Sequence, residues 1–282
     1  MTIQVQSNSP HQAARRSSRI SFLTKSLMRR IGENTHVLIA FAAFFLFWEA
    51  AVRFFKVAPF ILPPPSSIAS RLSQDWPMLL LHSLATLQEV VIGFGLSIVV
   101  GLGLATLVVS NRTAEKLIMP FVISLKTIPK VALAPILIIW FGYGMMPKIA
   151  IAFLISFFPI LIAANIGLRS AEKEMIYLAR SMGASTLQTF LKIRFPKALP
   201  SIFGGLRIGI VQAVIGAIVG EYLASERGLG YLQLVAQSRM DTPLLFSTVI
   251  VLSLLGVILF NLIVVAEKMC MPWAKSSHEL SV

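Results

Sequence analysis

The sequence predicts an all-α integral membrane protein, with six transmembrane helices and a helix–Gly–helix loop between the fourth and fifth spans. Three observations support this fold class. The 282 residues are 56% apolar and 13% charged, with a mean hydropathy of +0.80, whereas soluble domains carry about 25% charged residues. Six apolar runs have about the 20 residues that a helix needs to cross the hydrocarbon core. A polar, basic segment over residues 170–200 interrupts these runs.

The chain begins with a basic polar segment, residues 1–35, which we expect to be a disordered cytoplasmic tail. No apolar core with a small-residue cleavage site occurs there, so a removable signal peptide is not predicted. Contact with anionic lipid headgroups is a possible second role for this tail. Residues 269–282 are expected to form a cytoplasmic C-terminal tail.

The apolar runs divide the rest of the chain into spans and connections. The predicted spans are 36–57, 79–109, 117–141, 148–168, 201–223 and 244–266. The extracytoplasmic segment 58–78 contains three consecutive prolines, so its first part cannot be helical, and its second part is predicted to be a short interfacial helix. Residues 79–268 are expected to form the main membrane domain.

The distribution of positive charge predicts the topology. Of the 25 Lys and Arg residues, sixteen lie in segments that are cytoplasmic if the N-terminus is inside, and six lie in the outer segments or at the outer ends of the spans. Because cytoplasmic loops are enriched in Lys and Arg, both termini are predicted to be cytoplasmic. The net charge of +13 is therefore attributed to topology and not to nucleic acid binding.

Small residues recur every fourth position in the second predicted span, at Gly93, Ser97, Gly101 and Ala105. Such stripes allow helices to approach closely in lipid. Packing within one subunit is the expected role, and a dimer seam is the alternative.

The polar segment 170–200 has the local signals of two short helices joined at a glycine. Ser170 is predicted to N-cap the first helix, and Gly183 to end it in a left-handed conformation. Ser185 and Gln188 have the spacing of a capping box that begins the second helix. Pro196 is expected to end that second helix.

The third predicted span contains residues that are unusual in lipid: Lys126, Pro129, Lys130 and Pro135. Prolines release backbone groups that need other partners, and charged residues within spans usually face protein or a wet cavity. We expect these four residues to line a polar path that attracts anions, although Lys126 could instead extend back to the headgroups. Glu221 is a further path candidate, with a structural hydrogen bond as the alternative.

The chain lacks the residue patterns of an enzyme. The histidines are His11, His36, His82 and His278, which form no helical metal-binding pair, and Cys270 is the only cysteine. No phosphate-binding glycine loop with Lys and Ser or Thr occurs. We therefore expect no catalytic residue, cofactor or metal on this chain.

The spacing Ala179-x3-Gly183-x9-Ile193-x-Phe195-Pro196 resembles the cytoplasmic coupling loop of inner-membrane permease subunits of bacterial ABC importers. The family pattern is Glu-Ala-Ala-x3-Gly-x9-Ile-x-Leu-Pro. This chain departs from the pattern at the first two positions and at Phe195. The resemblance implies that an ATPase contacts Tyr177, Leu178, Ala179, Gly183, Ala184, Ile193, Phe195 and Pro196. An amphipathic surface helix pair without a partner is the alternative.

Further motifs are similar to the nitrate, sulfonate and taurine branch of these permeases. They are Pro129 and Pro135 followed by Trp140-Phe-Gly-Tyr-Gly144, then Gly228-Leu-Gly230, and Glu267-Lys-x4-Trp273. The resemblance implies a translocation path for a small solute, expected to be anionic, across the bacterial inner membrane. It also implies ATP on separate cytoplasmic ATPase subunits, an extracytoplasmic solute-binding protein and a second permease copy.

Three alternatives remain open from the sequence. The same importer architecture could carry a pyrimidine, a thiamine precursor or a riboflavin-like compound. An ion-coupled secondary carrier would need no ATPase, although no internal repeat of that class is evident. A scaffold membrane protein would transport nothing.

Overall fold

The computed structural model describes residue 36 and residues 39–273. The predicted tail 1–35 and residues 274–282 lie outside the described residues. Within the described part, all regular structure is helical, as the composition predicts. The chain divides into two compact units, Met1–Ser67 and Ile68–Val282.

In the first unit, helix α1 covers residues 39–54 of the first predicted span. The expected pairing of Glu49 with Arg53 one turn later is present, with Arg53 Nε donating to the Glu49 carboxylate at 2.7 Å, as the i,i+4 spacing of opposite charges on a helix favours. The same carboxylate accepts the backbone N–H of Ser66 at 3.0 Å. Glu49 thus ties α1 to the chain that follows the three prolines.

The remaining helices are connected mostly by short turns. In chain order they are α2 Pro65–Gln74, α3 Trp76–Ser110, α4 Arg112–Thr127, a 3₁₀ turn Lys130–Leu133, α5 Ala134–Phe141, α6 Met145–Arg169, α7 Lys173–Ser181, α8 Thr186–Thr189, a π-helical turn Phe190–Arg194, α9 Phe195–Ala224, α10 Leu229–Ser238 and α11 Thr242–Cys270.

Among the described residues, four helical segments are long and apolar enough to cross a membrane: α3, α6, the continuous rod Thr186–Ala224, and α11. A fifth is added if α4 and α5 together count as one broken span. The described part of α1 is shorter than the roughly 20 residues a span requires. The described residues therefore provide four or five spans by this measure.

The third predicted span, 117–141, is not one straight helix, which corrects the prediction. The chain bends by 94° between Arg112–Thr127 and Lys130–Phe141. Ile128, the residue before Pro129, has an extended backbone (φ −69°, ψ 131°) that ends α4. Proline disfavours helical geometry in the preceding residue, which explains the break.

Helix α6 lies between α3 and α9, and small residues permit the close approach on both sides. A Cβ added at Gly93 of α3 would lie 2.8 Å from the Cβ of Ala152, and one at Gly216 of α9 would lie 2.6 Å from the Cα of Ala152. The hydroxyls of Ser97 and Ser156 meet at 2.6 Å between α3 and α6. The predicted role of the small-residue stripe in packing within one subunit is confirmed.

Two predictions for the polar segment are wrong. Ser170 does not N-cap α7: its backbone is helical (φ −73°, ψ −7°), and its hydroxyl donates to the carbonyl of Gly167 at 2.8 Å, so it ends α6. Glu172 occupies the N-cap position instead. Pro196 does not end the second helix, because it lies in the first turn of α9. The helix nevertheless continues through Pro196, because the π-helical turn directly before it changes the local hydrogen-bond pattern and accommodates the donor that proline lacks.

Candidate functional site

The turn between α7 and α8 is a fully formed glycine C-cap. Gly183 has φ +81°, and its N–H donates to the carbonyl of Arg180 at 3.0 Å. The N–H of Ala184 donates to the carbonyl of Ala179, also at 3.0 Å. These two bonds are the pair that defines a Schellman motif, which requires the left-handed conformation that glycine adopts without strain. The predicted left-handed conformation of Gly183 at the end of this helix is confirmed.

The predicted capping box is also present. The N–H of Gln188 donates to the Ser185 hydroxyl at 3.2 Å, and the Gln188 side chain accepts the Ser185 N–H at 2.8 Å. From Thr186 the helix continues through the π-helical turn into α9 without a break. The second short helix is therefore the first part of the rod Thr186–Ala224, not a separate element.

The first part of this region exposes apolar side chains although it is rich in charge. No residue of α7 is buried, and Tyr177, Leu178 and Met182 are 67%, 62% and 79% exposed. We call residues 173–189 the α7–α8 surface. Exposed apolar groups that are rigidly placed by a cap and a capping box form the type of surface that another protein covers.

The structure brings the sequence-predicted coupling residues into one continuous stretch. Tyr177, Leu178 and Ala179 lie on α7, Gly183 and Ala184 form the turn, Ile193 lies in the π-helical turn, and Phe195 with Pro196 begins α9. Ala179, Ala184 and Ile193 are half-buried, so they support the turn and the rod as well as the surface.

The predicted path residues separate into two groups. Lys126, Pro129, Lys130 and Pro135 lie around the bend between α4 and α5. Lys126 is exposed, whereas Lys130 is half-buried and its Nζ lies 5.0 Å from the centre of the Phe158 ring on α6. A cation over an aromatic face is a favourable contact. Glu221 does not join this group.

Glu221, in the last turns of α9, is 1% exposed and belongs to a different cluster. Its carboxylate accepts the Thr86 hydroxyl at 2.6 Å and the backbone N–H of Gly230 at 2.5 Å. Nearby, Lys148 of α6 forms a buried ion pair with Glu89 of α3. We call Thr86, Glu89, Lys148 and Glu221 the buried polar cluster.

The buried polar cluster holds the segment 225–230 between α9 and α10. Lys148 Nζ donates to the Ser225 hydroxyl at 2.9 Å, and the N–H of Leu229 donates to the Thr86 hydroxyl at 2.9 Å. Gly228 has φ +116°, and a Cβ there would overlap the Glu221 carboxylate. This segment is thus held by side chains from α3, α6 and α9 together.

Sequence reasoning did not identify Glu89 and Lys148 as site residues, although both lie within the predicted spans 79–109 and 148–168. Both are buried, at 2% and 6% exposure. The available signal was their opposite charge within apolar surroundings, because charged residues in spans are usually paired. A cavity of about 560 Å³ adjoins Lys148 and is lined also by Tyr143, Tyr222 and Arg227.

Relatives of this chain are transport permeases. It is 36% identical over 249 residues to the formylaminopyrimidine transport permease protein ThiX of Halalkalibacterium halodurans, covering 88% of this chain and 99% of the relative. It is 36% identical over 261 residues to the riboflavin transport system permease protein RibX of Chloroflexus aurantiacus, covering 92% and 97%. It is 26% identical over 233 residues to the taurine transport system permease protein TauC of Escherichia coli, covering 80% and 85%.

Solved structures share the fold. A chain of the MetNI methionine ABC transporter, in inward-facing conformations, matches with a TM-score of 0.59 at 20% identity, over 71% of this chain and 99% of that chain. A chain of an amino acid ABC transporter matches with a TM-score of 0.57 at 15% identity, over 70% and 96%. These likenesses concern the architecture of the membrane helices.

The family model described as binding-protein-dependent transport system inner membrane component matches residues 97–268. That range contains the α7–α8 surface and the whole rod Thr186–Ala224. The family membership that the motif from Ala179 to Pro196 indicates is confirmed by this match and by the relatives. The chain therefore belongs to the family of inner-membrane components of binding-protein-dependent transport systems, and it is the permease subunit of an ABC importer.

Proposed function

We propose that this subunit forms the translocation path for a small solute and that a separate cytoplasmic ATPase drives it by docking on the α7–α8 surface. The observation that carries the proposal is the rigid, apolar, exposed surface that continues without a break into a membrane-crossing rod. ATP would be bound by the ATPase chain. A solute-binding protein outside the membrane and a second copy of this chain complete the proposed assembly.

The rod Thr186–Ala224 is suited to carry motion across the membrane. It has 39 residues, and it packs closely on α6 at Gly205 and Gly216. We therefore expect the two helices to move together. The π-helical turn Phe190–Arg194 lies between the α7–α8 surface and α9. Such turns mark places where helices adjust. The ATPase shifts the equilibrium only if it contacts this surface differently in its two states.

Glu221 is proposed to act as a latch at the other end of the rod. Because it bonds the segment 225–230 from the last turns of α9, tilting of the rod would pull on that segment. The cavity beside Lys148 would then change shape. Lys126, Pro129, Lys130 and Pro135 are proposed to line the path at the α4–α5 bend.

The leading proposal for the solute is a small nitrogen heterocycle of the pyrimidine or flavin type. The support is that both relatives at 36% identity with near-complete coverage are named for such compounds. Tyr143 and Tyr222 at the cavity beside Lys148 offer aromatic rings to a heterocycle.

The second candidate is an anion such as taurine, a sulfonate or nitrate. Its support is Lys126 and Lys130 at the bend, together with the relative TauC.

Uptake by the reconstituted importer tests the coupling proposal. Gly183→Pro removes a donor and the positive φ, so we expect insertion to persist while uptake is abolished. Gly183→Asn, which tolerates positive φ, should retain most uptake. Gly142→Ala is the matched control, since Gly142 also has positive φ (+76°) but lies outside the α7–α8 surface. Uptake by Gly183→Pro at the wild-type rate would contradict the proposal, and uptake by this chain alone would favour an ion-coupled carrier.

Competition experiments separate the two solute classes. Labelled formylaminopyrimidine, riboflavin and taurine would be offered to vesicles that contain the full importer. The heterocycle proposal expects uptake of one of the first two and little competition by taurine. If the solute is anionic, Lys130→Gln should lower uptake more than it lowers protein abundance. An equal loss of both would make Lys130 a structural residue.

A further inference from the structure

A second cavity lies between the end of α3 and the α7–α9 region, with a volume of about 490 Å³. Arg180 of α7 and Arg194 of the π-helical turn both line it. No acidic residue lines it among the described residues. It is therefore a concave site of positive charge at the end of membrane-crossing helices.

The two arginines differ from most others of the described part in having no carboxylate partner. Arg53, Arg71, Arg169 and Arg207 are each in an ion pair. Arg180 and Arg194 form no ion pair or side-chain hydrogen bond with any described residue, although Arg194 is half-buried. Arg180 is exposed and open to water, whereas the half-buried Arg194 has five donors for which an anion is a suitable acceptor.

Hydroxyl groups complete the donor set. Thr106 and Ser110 of α3 and Thr186 of α8 line the same cavity, and their hydroxyls have no hydrogen-bond partner among the described residues. Two guanidinium groups with three free hydroxyls match the oxygens of a phosphate group, which arginine binds with paired hydrogen bonds. Val109, Leu187 and Phe190 form the apolar part of the lining, and Thr189, whose hydroxyl donates to the Ser185 carbonyl at 2.9 Å, completes it.

We propose that this cavity binds a phosphate group, carried either by the headgroup of an anionic phospholipid or by a soluble phosphate compound. Its position at the end of α3 fits the membrane interface, where basic pockets between helices bind lipid headgroups. A bound phosphate joins Arg180 and Arg194 to the end of α3. It therefore restrains the α7–α8 surface relative to the membrane helices and links transport to lipid composition or to phosphate.

Thermal unfolding of the purified full-length permease in a neutral detergent tests this proposal without the ATPase. Phosphatidylglycerol, phosphatidylcholine or inorganic phosphate would be added over a concentration series. We expect phosphatidylglycerol to raise the midpoint of unfolding more than phosphatidylcholine does. In the variant with both Arg180→Gln and Arg194→Gln, the half-saturating concentration should rise by about 30-fold. Lys192→Gln, an exposed residue of the same turn that does not line the cavity, should leave it unchanged.

Each outcome decides the proposal. Stabilisation by phosphatidylglycerol alone identifies a headgroup, and stabilisation by inorganic phosphate identifies a soluble ligand. No stabilisation of the wild type by either anion, or an unchanged half-saturating concentration in the double variant, overturns it. If the double variant cannot be purified, Thr106→Val together with Thr186→Val replaces it with the same expected direction. Because no ATPase is present, failure here leaves the proposed coupling untouched.

Discussion

The two ends of the rod Thr186–Ala224 differ in how they are stabilised. At one end, Glu221 is buried and bonded to α3 and to the start of α10. At the other end, the α7–α8 surface is fixed by local backbone bonds and leaves its apolar side chains exposed. The difference indicates that one end maintains the fold of the subunit, whereas the other is prepared for a partner.

The physical basis of this contrast is the cost of burying charge. Glu89, Lys148 and Glu221 have little access to water, so each depends on its partners for its stability. Leu178 and Met182 have no such dependence, because they are exposed whether or not the chain is folded. Substitutions at the Glu221 end should therefore mainly lower the stability of the subunit. Substitutions on the α7–α8 surface should mainly lower transport.

The largest loss of stability is expected for Lys148→Met. It leaves the buried carboxylate of Glu89 without its cation, and breaking a buried ion pair typically costs about 3–5 kcal/mol. Thermal unfolding in detergent would measure the loss, with Lys197→Met as the control because its partner Glu172 is exposed. Combining Lys148→Met with Glu89→Gln should recover part of the loss. If Lys148→Met unfolded at the same temperature as the wild type, the proposed difference between the two ends of the rod would be wrong.

A smaller loss is expected for Gly228→Ala. The added Cβ meets the Glu221 carboxylate, and a non-glycine residue at φ +116° is strained by about 1–3 kcal/mol. Gly256→Ala on α11 is the control, because nothing lies within 4 Å of that position and alanine favours helix. Equal unfolding midpoints for the two variants would show that segment 225–230 is not held by Glu221.

At the other end, Ser185→Ala should lower stability by only about 1 kcal/mol, the usual value of an N-cap. The loss is small because Ser185 is exposed and its bonds are local. Uptake should nevertheless fall more steeply than abundance, since the start of the rod becomes less well ordered. The amount of protein, measured with a fluorescent tag, and the rate of uptake would be determined on the same cells. If both fell by the same factor, the prediction would be wrong.

The smallest effect on stability is expected for Leu178→Ser, within about 0.5 kcal/mol, as for surface substitutions. Uptake should be lost because the substitution removes apolar area from the docking surface. Lys192→Ser, an exposed residue of the π-helical turn outside the α7–α8 surface, is the control and should retain uptake. Normal uptake by Leu178→Ser would mean that the exposed apolar groups are not covered by an ATPase.

Local features of the fold could be predicted from sequence because they depend on neighbours along the chain. The Gly183 turn and the Ser185–Gln188 capping box involve residues within five positions of one another, so spacing alone defines them. The break near Pro129 was expected to disturb the helix, but its 94° bend was not. Pro196 was predicted to end a helix because proline lacks a donor, but the π-helical turn before it lets the rod continue, and residue spacing alone does not reveal that turn.

The buried polar cluster could not be predicted in the same way. Glu89, Lys148 and Glu221 come from three helices, and only tertiary packing brings them together. Charge counting grouped Lys148 with the outer residues, at the first position of the predicted span 148–168, because its position alone does not reveal its partner. The family match identifies the type of protein, but the solute depends on side chains that line paths between helices.

Site-directed cross-linking tests most directly whether the ATPase docks on the α7–α8 surface. Cys270 is the only cysteine, so Cys270→Ser provides a background for Leu178→Cys. In native membrane vesicles, we predict a cross-link from position 178 to the ATPase whose yield changes between ATP and ADP. Leu262→Cys on the exposed side of α11 should give none. A yield at position 178 no higher than at position 262, with either nucleotide, would contradict the account.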